Sequence, residues 1–327
     1  MTNTTKTPLH LYDNDMLFWR DENRQMNMAI HVRIDPEPLN PRGYDNDDIM
    51  FCHHSRYNLG DNTHDKTLGA FWARIISEHM TNDHIAAKLI KKDPVRGYNS
   101  TILDKCRALA CSTAELENEL ITELTEDFLD YIRETDAIDA AIDVSQDDIA
   151  ALPLWLYDHS GITMSCGERV YPYNDKYDSS GVGWIVMPKS VAMRNITCPV
   201  DKDGKPCHQN PATYVPCTDA NWKHAAIHHM RHSVKIYDLY LQGEFYGYTL
   251  YERPAETCDP KTEPKCTYEQ DWTELDCCWG IPGKDITKNE ILEDIGYGLK
   301  EALTSGNYKT GKASTSQIII WQFQENE

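Results

Sequence analysis

The stretch Leu152–Ser165, LPLWLYDHSGITMS, with Gly183–Met187, GWIVM, decides the fold class. Pro153–Tyr157, Ile162–Ser165 and Gly183–Met187 are short runs rich in apolar, β-branched and aromatic residues. Gly- and Asp-rich turns separate them, the pattern of consecutive strands. Towards the N-terminus, Asn27–Ile34 alternates through Met28, Ile30, Val32 and Ile34, and Ile49–Cys52 is a second, wholly apolar run. Towards the C-terminus, Phe245–Tyr251 and Trp272–Trp279 read as strands. Gly280–Gly283 turns the second of these, and Gln317–Phe323 is a last apolar strand.

Helices interrupt this β texture. Leu68, Phe71, Trp72, Ile75, Ile76 and His79 recur at helical spacing from Thr67 onward. A further helix over Ile85–Lys92 ends at Asp93-Pro94. Ser112-Thr113-Ala114-Glu115 is a capping box, and Leu116, Leu120, Leu124 and Phe128 then mark one face. Cys198–Cys217 reads as a loop, with five prolines or glycines. Asp219 is placed to cap a long helix through Trp222, Ala226, Met230, Val234, Tyr237 and Leu241, which Gly243 ends. Glu252–Glu269 reads as an irregular excursion, and a final helix covers Lys288–Leu303. The expected class is α+β, a mixed or antiparallel sheet packed with several amphipathic helices. The expected organisation is an N-terminal region over 1–150 and a β-rich region over 151–327 carrying the helix at 219–242. One continuous fold is equally allowed.

A chain of 327 residues, 40% hydrophobic, is long enough for a substantial core, and its eight Trp and eighteen Tyr argue against disorder. Its net charge of −20 disfavours direct contact with nucleic-acid phosphates or anionic lipid and suits a basic partner. The charge is concentrated. Glu115–Asp148 holds thirteen Asp or Glu against the single Arg133, a net −12 out of −20. A solvated face is the plainer account of such a run. The first residues, MTNTTKTPLHLYDND, lack the apolar core of a signal peptide, and no stretch approaches membrane-spanning length. Eleven cysteines, an odd number, read mostly as buried free thiols of a reducing compartment.

Four constellations bear on chemistry. His224, His228 and His232 fall at i, i+4 and i+8 of the long helix, with Cys207, His208 and Cys217 upstream; such residues suit zinc, although C-x8-C-x9-C matches no common zinc spacing. A solvated or partner-facing histidine helix is the plainer reading. Asp158-His159-Ser160 holds the residue types of a hydrolase triad, but three consecutive residues cannot form that relay, and a turn is expected instead. His53, His54, Asp61, His64 and Asp65 could ligate a hydrolytic metal or form a polar loop. Cys277 and Cys278, adjacent on a strand, should face opposite sides, one of them the core.

Asn40-Pro41-Arg42 with Asp45-Asn46, Met50–Asp61 (MFCHHSRYNLGD), Leu152–Met187, Tyr237–Tyr248 (YDLYLQGEFYGY) and Leu275–Gly283 (LDCCWGIPG) together resemble a widespread family of phage and prophage proteins. Size and acidity also make the chain similar to the phage-encoded Gabija anti-defence proteins. That resemblance implies a homo-oligomer in the host bacterial cytoplasm. It would bind a host defence nuclease complex and keep DNA out. It implies no catalytic residue and identifies no contact residue. The acidic helix supplies the candidate contacts: Glu117, Glu119, Glu123, Glu126, Asp127 and Asp130. The alternatives are a metal-dependent hydrolase, with zinc as its cofactor, and a phage accessory or assembly protein.

Overall fold

The computed structural model describes residues 15–21, 23–91, 100–110, 117–167, 178–209, 211–254, 272–285 and 295–312. The described residues form an α+β fold with antiparallel sheets. Two compact units divide the chain: residues 1–41 with 239–327, and residues 42–238. The second is inserted into the first. Residue 150, where a boundary was expected, lies inside the inserted unit.

The outer unit is a five-stranded antiparallel sheet. Its strands are β1 (Asp15–Asp21), β2 (Met26–Ile34), β9 (Phe245–Pro254), β10 (Thr273–Pro282) and β11 (Tyr308–Lys312). Their order is β10-β9-β2-β1-β11. Leu17, Trp19, Met28, Ile30, Val32, Tyr246, Tyr248 and Leu250 fill one core with Ile281, Leu299 and Ala302. The last two come from helix α8 (Leu299–Ser305). Met16, Phe18 and Ala29 lie on the other side of the sheet. Cys278 packs against the first core while Cys277 is exposed, the opposed facing that adjacent strand residues require.

The inserted unit carries a four-stranded antiparallel sheet, order β3-β6-β4-β5. These strands are β3 (Ile49–Cys52), β4 (Ile149–Asp158), β5 (Ile162–Cys166) and β6 (Ser179–Pro188). β4 and β6 pair from Ile149↔Pro188 to Tyr157↔Ser179, and β3 joins through Met50↔Ile185. This register ties residues on either side of position 150 into one sheet. Gly183 is required there: a Cβ would lie 1.9 Å from the Phe51 carbonyl oxygen across the β3–β6 pair.

Five helices pack beside that sheet: α1 (Leu68–His79), α2 (Asn82–Lys91), α3 (Ser100–Ala110), α4 (Glu117–Thr135) and α5 (Ile138–Ser145). Thr67 caps α1, its hydroxyl accepting from the Ala70 amide at 3.1 Å. Phe71, Trp72, Ile75 and Ile76 are fully buried with Leu124, Phe128 and Ile132 of α4, each such side chain contributing about 1.5–3 kcal/mol. α1 approaches α4 so closely that a Cβ on Gly69 would stand 2.2 Å from the Ile132 carbonyl oxygen. The capping box at Ser112–Glu115 and the Gln317–Phe323 strand lie outside the described residues, as do most of Glu252–Glu269 and the start of the Lys288 helix.

A short helix, α6 (Lys189–Asn195), precedes a small two-stranded sheet of β7 (Thr197–Val200) and β8 (Thr213–Pro216). The Cys198–Cys217 segment is therefore a hairpin at its base, not a loop throughout. α7 (Trp222–Leu241) follows. Its entry is not capped by Asp219, which is exposed and pairs with Lys189 at 2.6 Å. The Asn221 side chain closes the turn before the helix, accepting from the Thr218 amide at 2.6 Å, while the Asn221 amide donates to the Thr218 carbonyl.

Candidate functional site

α4 divides cleanly around its circumference. Leu124, Phe128 and Ile132 point into the core, while Glu119, Glu123, Glu126, Asp130 and Glu134 form an exposed stripe on the other side. The stripe is not a uniform carboxylate array. Lys105 of α3 lies 3.0 Å from Glu123 and 2.9 Å from the half-buried Asp127. Hydrogen bonds to Asp127 and Glu123 raise the Lys105 pKa above its ordinary value. Arg133 holds Asp130 at 2.6 Å, one turn away. Glu119, Glu126 and Glu134 have no ion-pair partner among the described residues. Of the six contact candidates, Glu123 and Asp127 thus share one cation and Asp130 has another, Glu119 and Glu126 are open, and Glu117 is the first described residue of the helix.

A second charged cluster is buried. Arg42 sits on a 3-10 turn at Pro41–Gly43, its side chain 1% exposed. It donates to Asp48 at 2.7 Å and, in a two-pronged pair, to both oxygens of Asp61 at 2.7 and 2.8 Å. The Met50 amide also donates to Asp61, and Ser233 of α7 donates to Asp48 at 2.5 Å. His229 lies 3.4 Å from the same Asp48 oxygen. Burial opposes ionisation of Asp48, but His229, Arg42 and Ser233 together hold its carboxyl below the usual range.

This cluster fixes the loop before β3 against α7. Burial pushes the neighbouring Cys52 thiol up to about 12 and Cys166 up to about 11, so neither supplies thiolate at neutral pH. Asp61, expected as a metal-ligand candidate, is committed to Arg42, and Asp65 to Arg74 at 2.8 Å. Asp158 is held by Arg56 and Tyr57, while His159 faces Asp178 at 2.9 Å. Ser160 has φ of 59° in the following turn, so these three neighbours form no relay.

The histidine helix gains a partner that sequence spacing does not indicate. The His208 ring stacks on His224 with centroids 3.8 Å apart and planes 11° apart. His228 lies parallel to His208 at 5.9 Å. His232, one turn further along α7, is exposed. Cys207 is half-buried and Cys217 buried. Among the described residues no three His, Cys, Asp or Glu side chains converge on a metal-binding position. His224, His228, His232, Cys207 and Cys217 therefore do not form the preassembled zinc site that their types suggested.

No protein-family model matches this chain, and no curated protein or solved structure matches it either.

Proposed function

We propose that this chain is a phage-encoded inhibitor that binds a bacterial defence nuclease complex of the Gabija kind and blocks its access to DNA. The observation that carries the reading is the exposed stripe on α4, where Glu119, Glu126 and Glu134 project without a counter-charge among the described residues. A nuclease must offer basic surface to DNA. Carboxylates fixed on a packed helix compete for that surface without paying to order themselves. The net charge of −20 steers the encounter. The reading places the protein in the host bacterial cytoplasm as a homo-oligomer. No helix among the described residues is long and apolar enough to cross a membrane.

The test is binding to the purified nuclease complex over a salt series. Replacing Glu119, Glu126 and Glu134 together with Gln should weaken affinity about tenfold or more, roughly 1.4 kcal/mol, and flatten the salt dependence. The same change at Glu123, Asp127 and Asp130 should do less, because Lys105 and Arg133 already offset most of their charge. Unchanged affinity and unchanged salt slope in the first variant would remove the electrostatic contact. Absence of binding by the unaltered protein would remove the inhibitor reading itself.

A further inference from the structure

A pocket of about 340 Å³ opens in the inserted unit where the loop before β3, the end of α1 and the end of α6 meet. That volume lies at the small end of the range for sites that hold small molecules, about 300–1,000 Å³. Ile49, Pro188 and Val191 supply the apolar part of its lining, and Asp45, Asp47 and Arg194 supply the charge. None of these residues belongs to the α4 stripe, so the pocket is independent of the proposed contact surface.

The opposite charges of this lining are held apart. The Asn195 carboxamide accepts from Arg194 Nε at 3.0 Å and donates to Asp47 Oδ1 at 2.5 Å. It stands between a guanidinium and a carboxylate that do not pair with each other. Arg194 keeps both terminal nitrogens, and Asp47 its second oxygen, without a partner among the described residues. The elements that carry them are anchored. Asp48, the residue after Asp47, is held by Arg42 and Ser233, and the Lys189 amide at the start of α6 donates to the Asp148 carbonyl at 2.7 Å. Open charges on fixed elements need little further ordering to hold a ligand.

We propose that this pocket binds a free aliphatic α-amino acid of the leucine class. Its ammonium is taken by Asp47 and Asp45, its carboxylate by Arg194, and its side chain by Ile49, Pro188 and Val191. A guanidinium with Nε engaged still offers its two terminal N–H groups to a carboxylate. The two ends of an α-amino acid, bonded to one carbon, span the gap that one carboxamide leaves between Arg194 and Asp47. A purely cationic ligand would meet Arg194, and a purely anionic one the two aspartates, so the lining selects a molecule that carries both charges. His79, also in the lining, adds no repulsion: burial lowers its pKa more than Glu78 raises it, so the ring is neutral at neutral pH.

The experiment is calorimetric titration of the full-length protein at neutral pH with L-leucine, N-acetyl-leucine and leucinamide. A single saturable site for leucine is expected. Each derivative lacks one charge and should bind about tenfold more weakly or worse. Arg194→Gln should remove the preference for leucine over leucinamide, and Asp45→Asn with Asp47→Asn the preference over N-acetyl-leucine. Val191→Trp, which fills the pocket without changing charge, should abolish binding of all three. Should a variant fold poorly by circular dichroism, the derivative series on the unaltered protein tests the same two contacts. No saturation below about 10 mM leucine, equal affinity of the unaltered protein for leucine and either derivative, or a retained preference over leucinamide in Arg194→Gln would each overturn the site.

Discussion

Arg42 and Lys105 do the same thing in two different places. Each is a cation between two carboxylates: Arg42 between Asp48 and Asp61, Lys105 between Glu123 and Asp127. Arg42 is 1% exposed and Asp48 fully buried, whereas the Lys105 carboxylates are 48% and 33% exposed. Water is excluded from Arg42 and Asp48 and reaches only part of Asp61, so these charges depend on one another and on bonds from Met50 and Ser233. Water still bathes the second, so its pairing is screened and only partly offsets the charge of the stripe. Equal charge patterns thus lock the architecture in one place and merely trim an exposed acidic face in the other.

The sharpest way to break this contrast is Arg42→Met. It strands the buried Asp48 and the partly exposed Asp61 and should cost about 3–5 kcal/mol, read by chemical denaturation. Loss below about 1 kcal/mol would mean that Asp48 and Asp61 find other partners. Next is Gly69→Ala, whose Cβ would press on the Ile132 carbonyl where α1 meets α4. It should destabilise by about 1–3 kcal/mol, with a lower melting temperature. Lys105→Ala should change stability by no more than about 1 kcal/mol, as a solvent-screened pair does.

Acid separates the Arg42 cluster from the histidine stack as well. Asp48 is held below its ordinary value, so its stabilisation is present above about 3.8 and lost as pH falls through the folded value. His208 is depressed from 6.5 to about 4, so the unfolded chain takes up that proton first. Stability should therefore decline as pH falls from about 6.5 to about 4, and His208→Gln should reduce that decline in a melting series. An identical pH profile in the variant would remove His208 as its source.

Much of this fold is legible in the sequence wherever one face is buried. Met28, Ile30 and Val32 alternate inward on β2, and Leu124, Phe128 and Ile132 recur along α4. β1 hides because both faces are covered: Met16, Leu17, Phe18 and Trp19 are all buried, so no alternation survives. β11, YKTGK, ends the sheet among the described residues and is too polar to stand out. Pro199, Pro206 and Pro216 obscure the β7–β8 hairpin. The acidic run is visible by composition, but its partial neutralisation by Lys105 depends on how α3 lies along α4. Likewise, His208 reaches His224 only through the hairpin, and Arg42 reaches Asp61 across 19 positions. Contacts between distant chain segments carry no local period.

The insertion of residues 42–238 within the outer unit has a consequence for synthesis. The inserted unit is one continuous segment and can fold as soon as it leaves the ribosome. The outer sheet cannot. β2 must wait for β9, with Arg33 and Thr249 bonded across 216 positions, and β1 must wait for β11. β1 and β2 can pair with each other as soon as both are made, but the outer edge of each waits for a strand synthesised much later. A nascent chain therefore carries a two-stranded hairpin with both edges open through most of translation, and its vulnerability to aggregation is set by how quickly β9 and β11 arrive.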